Sequence, residues 1–215
     1  VRLRDLVGAA SPQEGASWVS FKARDGYTES LALSLVSASP EILVAYELDG
    51  APLPHEHGFP ARILIPGHYG MKGPKWLENI DLANSELRGY WEQQGWDHNA
   101  IVKTTSRFDV PGDGDILKLG PIQLGGVAYA GSRGIHHVEY TTDGSHWVTV
   151  DDIDAPLSQY TWVIWRATWT PANEGAYRLM VRAVDAHGGV QDSSNAPSYP
   201  SGSTGYHTIQ VNVSR

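Results

Sequence analysis

His57–Leu77 reads HGFPARILIPGHYGMKGPKWL, and the order of residue types in it decides the first half of the chain. Ala61–Ile65 (ARILI) is short, apolar and rich in β-branched residues, the pattern of a core strand. Pro66-Gly67 ends it. Gly70, Lys72, Gly73 and Lys75 follow, a flexible backbone carrying two positive charges. Glycine lets main-chain amides come close to a ligand. Arg62 can hold a phosphate through two parallel bonds, and lysine can neutralise one as a point charge. A strand, a glycine loop and three cations form a candidate anion site. On pattern alone an ordinary surface loop fits these residues at least as well.

Upstream of this stretch, Val1–Val7 has the apolar spacing of a short helix. Ser17–Lys22 and Ile42–Leu48 read as strands, Tyr27–Leu31 as a strand or its extension, and Ser34–Ala38 as a short helical turn. Asp25-Gly26 and Asp49-Gly50 are turns. Pro52, Pro54 and Pro60 keep the approach to Arg62 out of helix. Downstream, Trp76–Leu82 alternates as a strand. Arg88–Asn99 (RGYWEQQGWDHN) is aromatic and polar without a period and reads as a connector.

From Ile101 onward the pattern is all-β. Strands are expected at Thr104–Val110, Pro121–Ala130, Ile135–Thr141, Trp147–Val150, Thr161–Thr168, Ala176–Asp185 and Tyr206–Val213. Asp143-Gly144 marks a hairpin, and Gly125-Gly126 a bulge or a close backbone approach. About seven short strands at regular turn spacing are the picture of a sandwich. In TWVIWRATW (Thr161–Trp169), Trp165 and Trp169 share one strand face with Val163 and Ala167. The opposite face carries Trp162, Ile164 and Arg166. The first is most simply core; the second suits an interface or stacked sugar rings.

The chain has 215 residues and a formal charge of −8, which argues against nucleic acid as a partner. No apolar run approaches the roughly 18 residues of a membrane span. There is no cysteine, so disulfides and thiolate metal sites within these residues are excluded. His55, His57 and His68, with Glu56 among them, offer a rival zinc site, but H-x-H in a proline-rich loop has no second paired motif. His136, His137, His146, His187 and His207 are scattered and read as core or surface. No G-x-S-x-G elbow occurs, and Asp151-Asp152 reads as a solvated turn.

HGFPARILIPGHYGMKGPKW, with DGYTESL (Asp25–Leu31) and LVAYELDGAPLPHEHG (Leu43–Gly58) before it, closely resembles the molybdopterin-binding domain of the sulfite oxidase family. The resemblance implies an α+β first part, residues 1–90, forming the C-terminal portion of that domain. It also implies a connector at 91–100 and an Ig-like dimerisation β-sandwich at 101–215. His57, Arg62 and Lys75 fall on the positions that contact the pterin phosphate. Gly70, Lys72 and Gly73 surround them, and Asp25 falls where the pterin ring is held.

The implied activity is oxygen-atom transfer at a molybdenum centre, with electrons leaving one at a time. The family's one thiolate ligand to the metal lies upstream of the segment matching Val1–Leu6. The missing thiolate has two readings, an upstream half outside these residues or a degenerate relative, and the abrupt start at Val1 favours the first, a fragment of a longer parent. These 215 residues are then expected neither to retain the cofactor nor to turn over alone, and they supply no metal ligand. Trp96 stands where animal and plant members carry an active-site Tyr. Ala196–Tyr206 holds no Arg or Lys where those enzymes bring one to substrate. Both departures imply a substrate other than sulfite.

Implied partners are a second copy through the sandwich, the upstream half of the pterin domain and an electron-transfer protein. The implied location, as for bacterial relatives, is periplasmic or otherwise extracytoplasmic, with membrane tethering a family trait. The competing reading is a non-enzymatic module, a dimerising or glycan-binding sandwich attached to a relic pterin fold. A zinc hydrolase using His55, His57 and His68 is a third.

Overall fold

The computed structural model describes residues 1–215 and separates into two units, Val1–Ile101 and Val102–Arg215. In chain order the first holds α1 (Leu3–Ala9), β1 (Trp18–Ala23), β2 (Thr28–Ala32), α2 (Leu33–Ala38) and β3 (Leu43–Ala45). It continues with β4 (Glu47–Leu48), β5 (Ala51–Pro52), β6 (Arg62–Leu64), β7 (Leu77–Ala83) and α3 (Tyr90–Gln93). β1 is the centre of a three-stranded antiparallel sheet between β2 and β7. Val19 and Phe21 on β1 bury against Leu3 and Val7 of α1, Val36 of α2, and Ile63 of β6. The apolar spacing seen at the start of the chain is therefore the inner face of a real helix.

The run Ile42–Leu48 does not stay one strand. Leu43–Ala45 pairs with β6, so Arg62 lies opposite Ala45. Glu47–Leu48 folds away into a two-residue ribbon with Ala51–Pro52. The turn between them has Asp49 at φ 53° and Gly50 at φ 78°. It closes the ribbon before a longer strand can form.

Residues 91–101 are built into the first unit. Tyr69 N–H donates to Ala100 O at 2.7 Å, and His68 bridges to Ile101. Glu92 of α3 is buried. Four helical residues are too few to show a period in the sequence.

The second unit is all strand apart from a short 3₁₀ turn at Gly131–Arg133. Its elements are β8 (Thr105–Val110), β9 (Ile116–Lys118), β10 (Ile122–Tyr129), β11 (Ile135–Thr141), β12 (Val148–Thr149), β13 (Asp152–Ile153), β14 (Val163–Trp169), β15 (Gly175–Asp185) and β16 (His207–Ser214). One sheet runs β13-β14-β10-β8 and the other β12-β11-β15-β16-β9. Their inner faces share one core. Phe108, Leu124, Val163, Trp165 and Trp169 meet Val138, Leu179, Val181, Ile209, Val211 and Val213.

The alternation read in TWVIWRATW is the observed one, with Trp165 buried and Ile164 exposed. Burying an aromatic of Trp165's size contributes on the order of 4 kcal/mol. Its Nε1 has no hydrogen-bond partner, which offsets about 1 to 3 kcal/mol of that. β9 joins β16 in parallel, the one parallel pairing in the chain, and Asp152 enters β13 rather than a turn.

Candidate functional site

Asp25, Arg62, Gly70, Gly73 and Lys75 line one cleft of about 300 Å³ in the first unit, with Tyr27, Met71, Pro74, Trp76 and Trp91. The wall is set by β6 and the segment that follows it. Arg62 opens β6, and its Nη1 donates to His57 O at 3.3 Å. Its Nε is buried with no partner at all. A buried guanidinium N–H without an acceptor is costly, and a ligand oxygen would remove that cost. Lys75 Nζ donates to Glu56 O at 2.9 Å and lies 4.6 Å from the Trp76 ring centre.

Two backbone positions hold these cations close together. Gly58 has φ 113°, and a Cβ there would sit 3.0 Å from Lys75 Cβ and 3.2 Å from Arg62 Cβ. Trp76 adopts φ 53°, a left-handed conformation that is strained for a bulky residue. Its indole N–H donates to His55 O at 2.8 Å, which fixes the ring beside Lys75.

His57 and Lys72 do not line this cleft. The imidazole of His57 is exposed, and only its carbonyl reaches Arg62. Lys72 is buried, its Nζ 2.7 Å from Glu29 Oε1 and 2.6 Å from Glu92 Oε1. Its charge is met there, behind the loop. The loop amides are also partly engaged: Lys72 N–H donates to Tyr69 O and Gly73 N–H to Gly70 O. Asp25 Oδ1 accepts from Tyr27 N–H at 3.0 Å, and Tyr27 Oη donates to Met71 O at 2.6 Å. Burial, with Glu29 and Glu92 nearby, pushes the Tyr27 hydroxyl well up, so it stays a donor.

The Lys72 cluster is not legible in the sequence because Glu29 lies 43 residues from Lys72, and Glu92 lies 20. The local signal is Gly89-x-x-Glu92, in which Glu92 Oε2 accepts from Gly89 N–H at 2.9 Å and starts α3. Lys72 thereby joins the Gly70–Gly73 turn to the short helix that carries Trp91.

One cation faces two carboxylates. Burial pushes Glu29 from its ordinary 4.5 up to about 7, against the pull of Lys72 and the Ser30 amide. The folded state then keeps a proton that the unfolded chain releases. Stability from this group is full below pH 4.5 and is lost as pH rises to about 7. The loss is on the order of 3 kcal/mol. Denaturant midpoints at pH 5 and pH 8 should show it, and Glu29→Gln should flatten most of the slope. An equal slope in both proteins would contradict the assignment.

His55, His57 and His68 do not make a ligand set, since no three metal-capable His, Asp or Glu side chains converge anywhere in the chain. His68 Nδ1 instead lies 3.2 Å from Pro66 O, and burial holds its pKa below the usual value. Trp96 is partly exposed and packs edge-on to Trp91 at 6.1 Å, so Trp91 rather than Trp96 meets the cleft.

A pair of cations, a tight glycine turn and an aromatic wall thus border one cleft on this α and β frame. Residues 1–91 match the family described as oxidoreductase molybdopterin-binding domain. Mitochondrial sulfite oxidase of Mus musculus is 28% identical over 99% of this chain and 45% of its own length. Sulfite oxidase of Arabidopsis thaliana is 29% identical over 87% of this chain and 58% of its own. An uncharacterized oxidoreductase of Bacillus subtilis is 38% identical over 50% of this chain and 54% of its own. The crystal structure of the sulfane dehydrogenase SoxCD from Paracoccus pantotrophus superposes with a TM-score of 0.77. It covers 98% of this chain and 58% of that one at 20% identity, a likeness of fold. The chain is thus similar to sulfite oxidases along its length, and its first 91 residues match the molybdopterin-binding domain of such oxidoreductases. It spans about half the length of the curated relatives it matches.

Proposed function

We propose that the first unit holds the phosphate end of a molybdopterin cofactor for a longer oxidoreductase. The unpartnered, buried Nε of Arg62 in the cation-lined cleft carries this reading. Arg62 and Lys75 bind the phosphate; Trp91 and Asp25 border the ring, and the Gly70–Gly73 turn allows close approach. Lys72 holds that turn in place from behind and does not touch the cofactor. When bound, the metal centre supplies oxygen-atom transfer and electron exchange; this chain's residues supply position and charge.

The substrate we assign is not sulfite. Ala196–Tyr206 has no cation to meet a small dianion, and Trp96 replaces the family's Tyr. The second unit we read as the Ig-like self-association domain of a homodimer. Its support is the outer face at the start of β14, where Ile164 and the preceding Trp162 are exposed and Trp162 stacks on Tyr129 at 5.0 Å.

Arg62→Gln in the full native protein carrying these residues tests the site. Released pterin and phosphorus per chain should fall at least tenfold while the melting temperature of the metal-free protein holds. Unchanged cofactor content would overturn the placement.

A further inference from the structure

A cleft of about 610 Å³, the size of a small-molecule site, lies in the second unit. Its charge is unlike that of the chain. The chain carries −8, yet Arg107, Arg178 and His207 line this cleft and no carboxylate does. Arg178 is exposed on β15 and makes no ion pair; Arg107 Nε meets Asp109 at 2.9 Å. His207 Nδ1 accepts from Phe108 N–H at 3.1 Å. That contact leaves the neutral ring's proton on Nε2, so the ring offers a donor. Asn195 and several hydroxyls add further polar groups.

The wall is fixed in place. Gln191 is buried: its Nε2 donates to Gly205 O at 2.7 Å, and its Oε1 accepts from Ser106 Oγ at 2.7 Å. Tyr206 packs edge-on to Trp147 at 5.3 Å. Arg182 lies 4.1 Å over Trp147 and pairs with Glu139 at 2.6 Å. Tyr206 and Met180 also give the cleft apolar surface, which an inorganic ion would not use.

We propose that this cleft binds a small organic oxyanion, its charged group held by Arg178 and Arg107 and its carbon body resting on Tyr206 and Met180. Guanidinium recognises carboxylate and phosphate alike, by paired hydrogen bonds. The two sources separate by titration of the full 215-residue chain, at low salt so that surface charges are not screened. The probes are glutarate, glycerol 3-phosphate and sulfate, followed by calorimetry.

At least one organic probe should saturate a single site at least fivefold more tightly than sulfate. The tighter organic probe names the source. Arg178→Gln should weaken it at least tenfold without moving the melting temperature, and Arg62→Gln should leave it unchanged. Arg107→Gln gives a second, independent reading should the first variant fold poorly. Sulfate binding as tightly as both organic probes, loss of binding in Arg62→Gln alone, or no saturable binding would each overturn the proposal.

Discussion

Lys72→Met should destabilise the first unit by about 3 to 5 kcal/mol at pH 7, the cost of breaking a buried ion pair from one side. Lys72 Nζ sits 2.7 Å from Glu29 and 2.6 Å from Glu92, and all three side chains are almost wholly out of water. Removing the ammonium leaves the Glu92 carboxylate without its counter-charge in a space that solvent does not reach, and drives Glu29, already raised by burial, to hold its proton. Glu29 Oε2 already lacks a partner, so the cluster has nothing in reserve. Glu92 can escape only by taking up a proton as well, so the penalty should shrink at pH 5. Urea denaturation at the two pH values reads this directly, and Lys72→Arg should keep more than half of the stability. The triple change Lys72→Met, Glu29→Gln, Glu92→Gln should recover much of the loss, because it removes the charges together with their partner. A single-variant cost below about 1 kcal/mol at pH 7 would mean that the cluster is not held as described.

Gly126→Ala should cost the second unit about 3 kcal/mol, at the upper end of overpacking penalties. β10 crosses β8 here with a register shift between Gly125 and Gly126. A Cβ on Gly126 would stand 1.9 Å from Arg107 O and 3.0 Å from Trp165 Cζ2. The first atom is backbone and the second belongs to a fully buried ring, so neither can turn aside. The strands must part, and Phe108 loses its edge-on packing on Trp165, now 5.4 Å between ring centres. Near-ultraviolet circular dichroism from Trp165 should weaken along with the melting temperature. Gly144→Ala is the control. It removes a glycine from a turn where a Cβ meets only Met180 Cε, at 3.6 Å, although φ there is 80° and some strain is expected. A Gly126→Ala protein as stable as the parent would show that β8 and β10 are further apart than this register requires.

These two sites differ in how far the sequence discloses them. Gly125-Gly126 in an otherwise apolar strand announces a close approach, because side-chain absence is itself the signal. Trp165 and Trp169 announce an inner face through their period. The cations of HGFPARILIPGHYGMKGPKWL could be read as a group, and Arg62 and Lys75 do meet with Gly70, Gly73 and Asp25 at one cleft. Lys72 could not be told from them locally. A lysine in a glycine loop looks solvated, and only the fold brings Glu29 and Glu92 behind it. Tyr27, Trp76 and Trp91 join the cleft for the same long-range reason. β9 and β13 escaped notice because strands of three and two residues carry no alternation to detect. Their pairing partners, β16 and β14, supply the order that their own residues do not.

The most direct measurement is molybdenum and phosphorus per chain, made by elemental analysis. The sample is the full native protein carrying these residues, from a molybdenum-replete host, after exhaustive desalting. A cofactor seated on Arg62 and Lys75 requires about one molybdenum per chain, with cofactor phosphorus beside it, and loss of both in Arg62→Gln. Phosphorus and molybdenum at background in the wild-type protein would contradict the cofactor site and leave the first unit a structural domain.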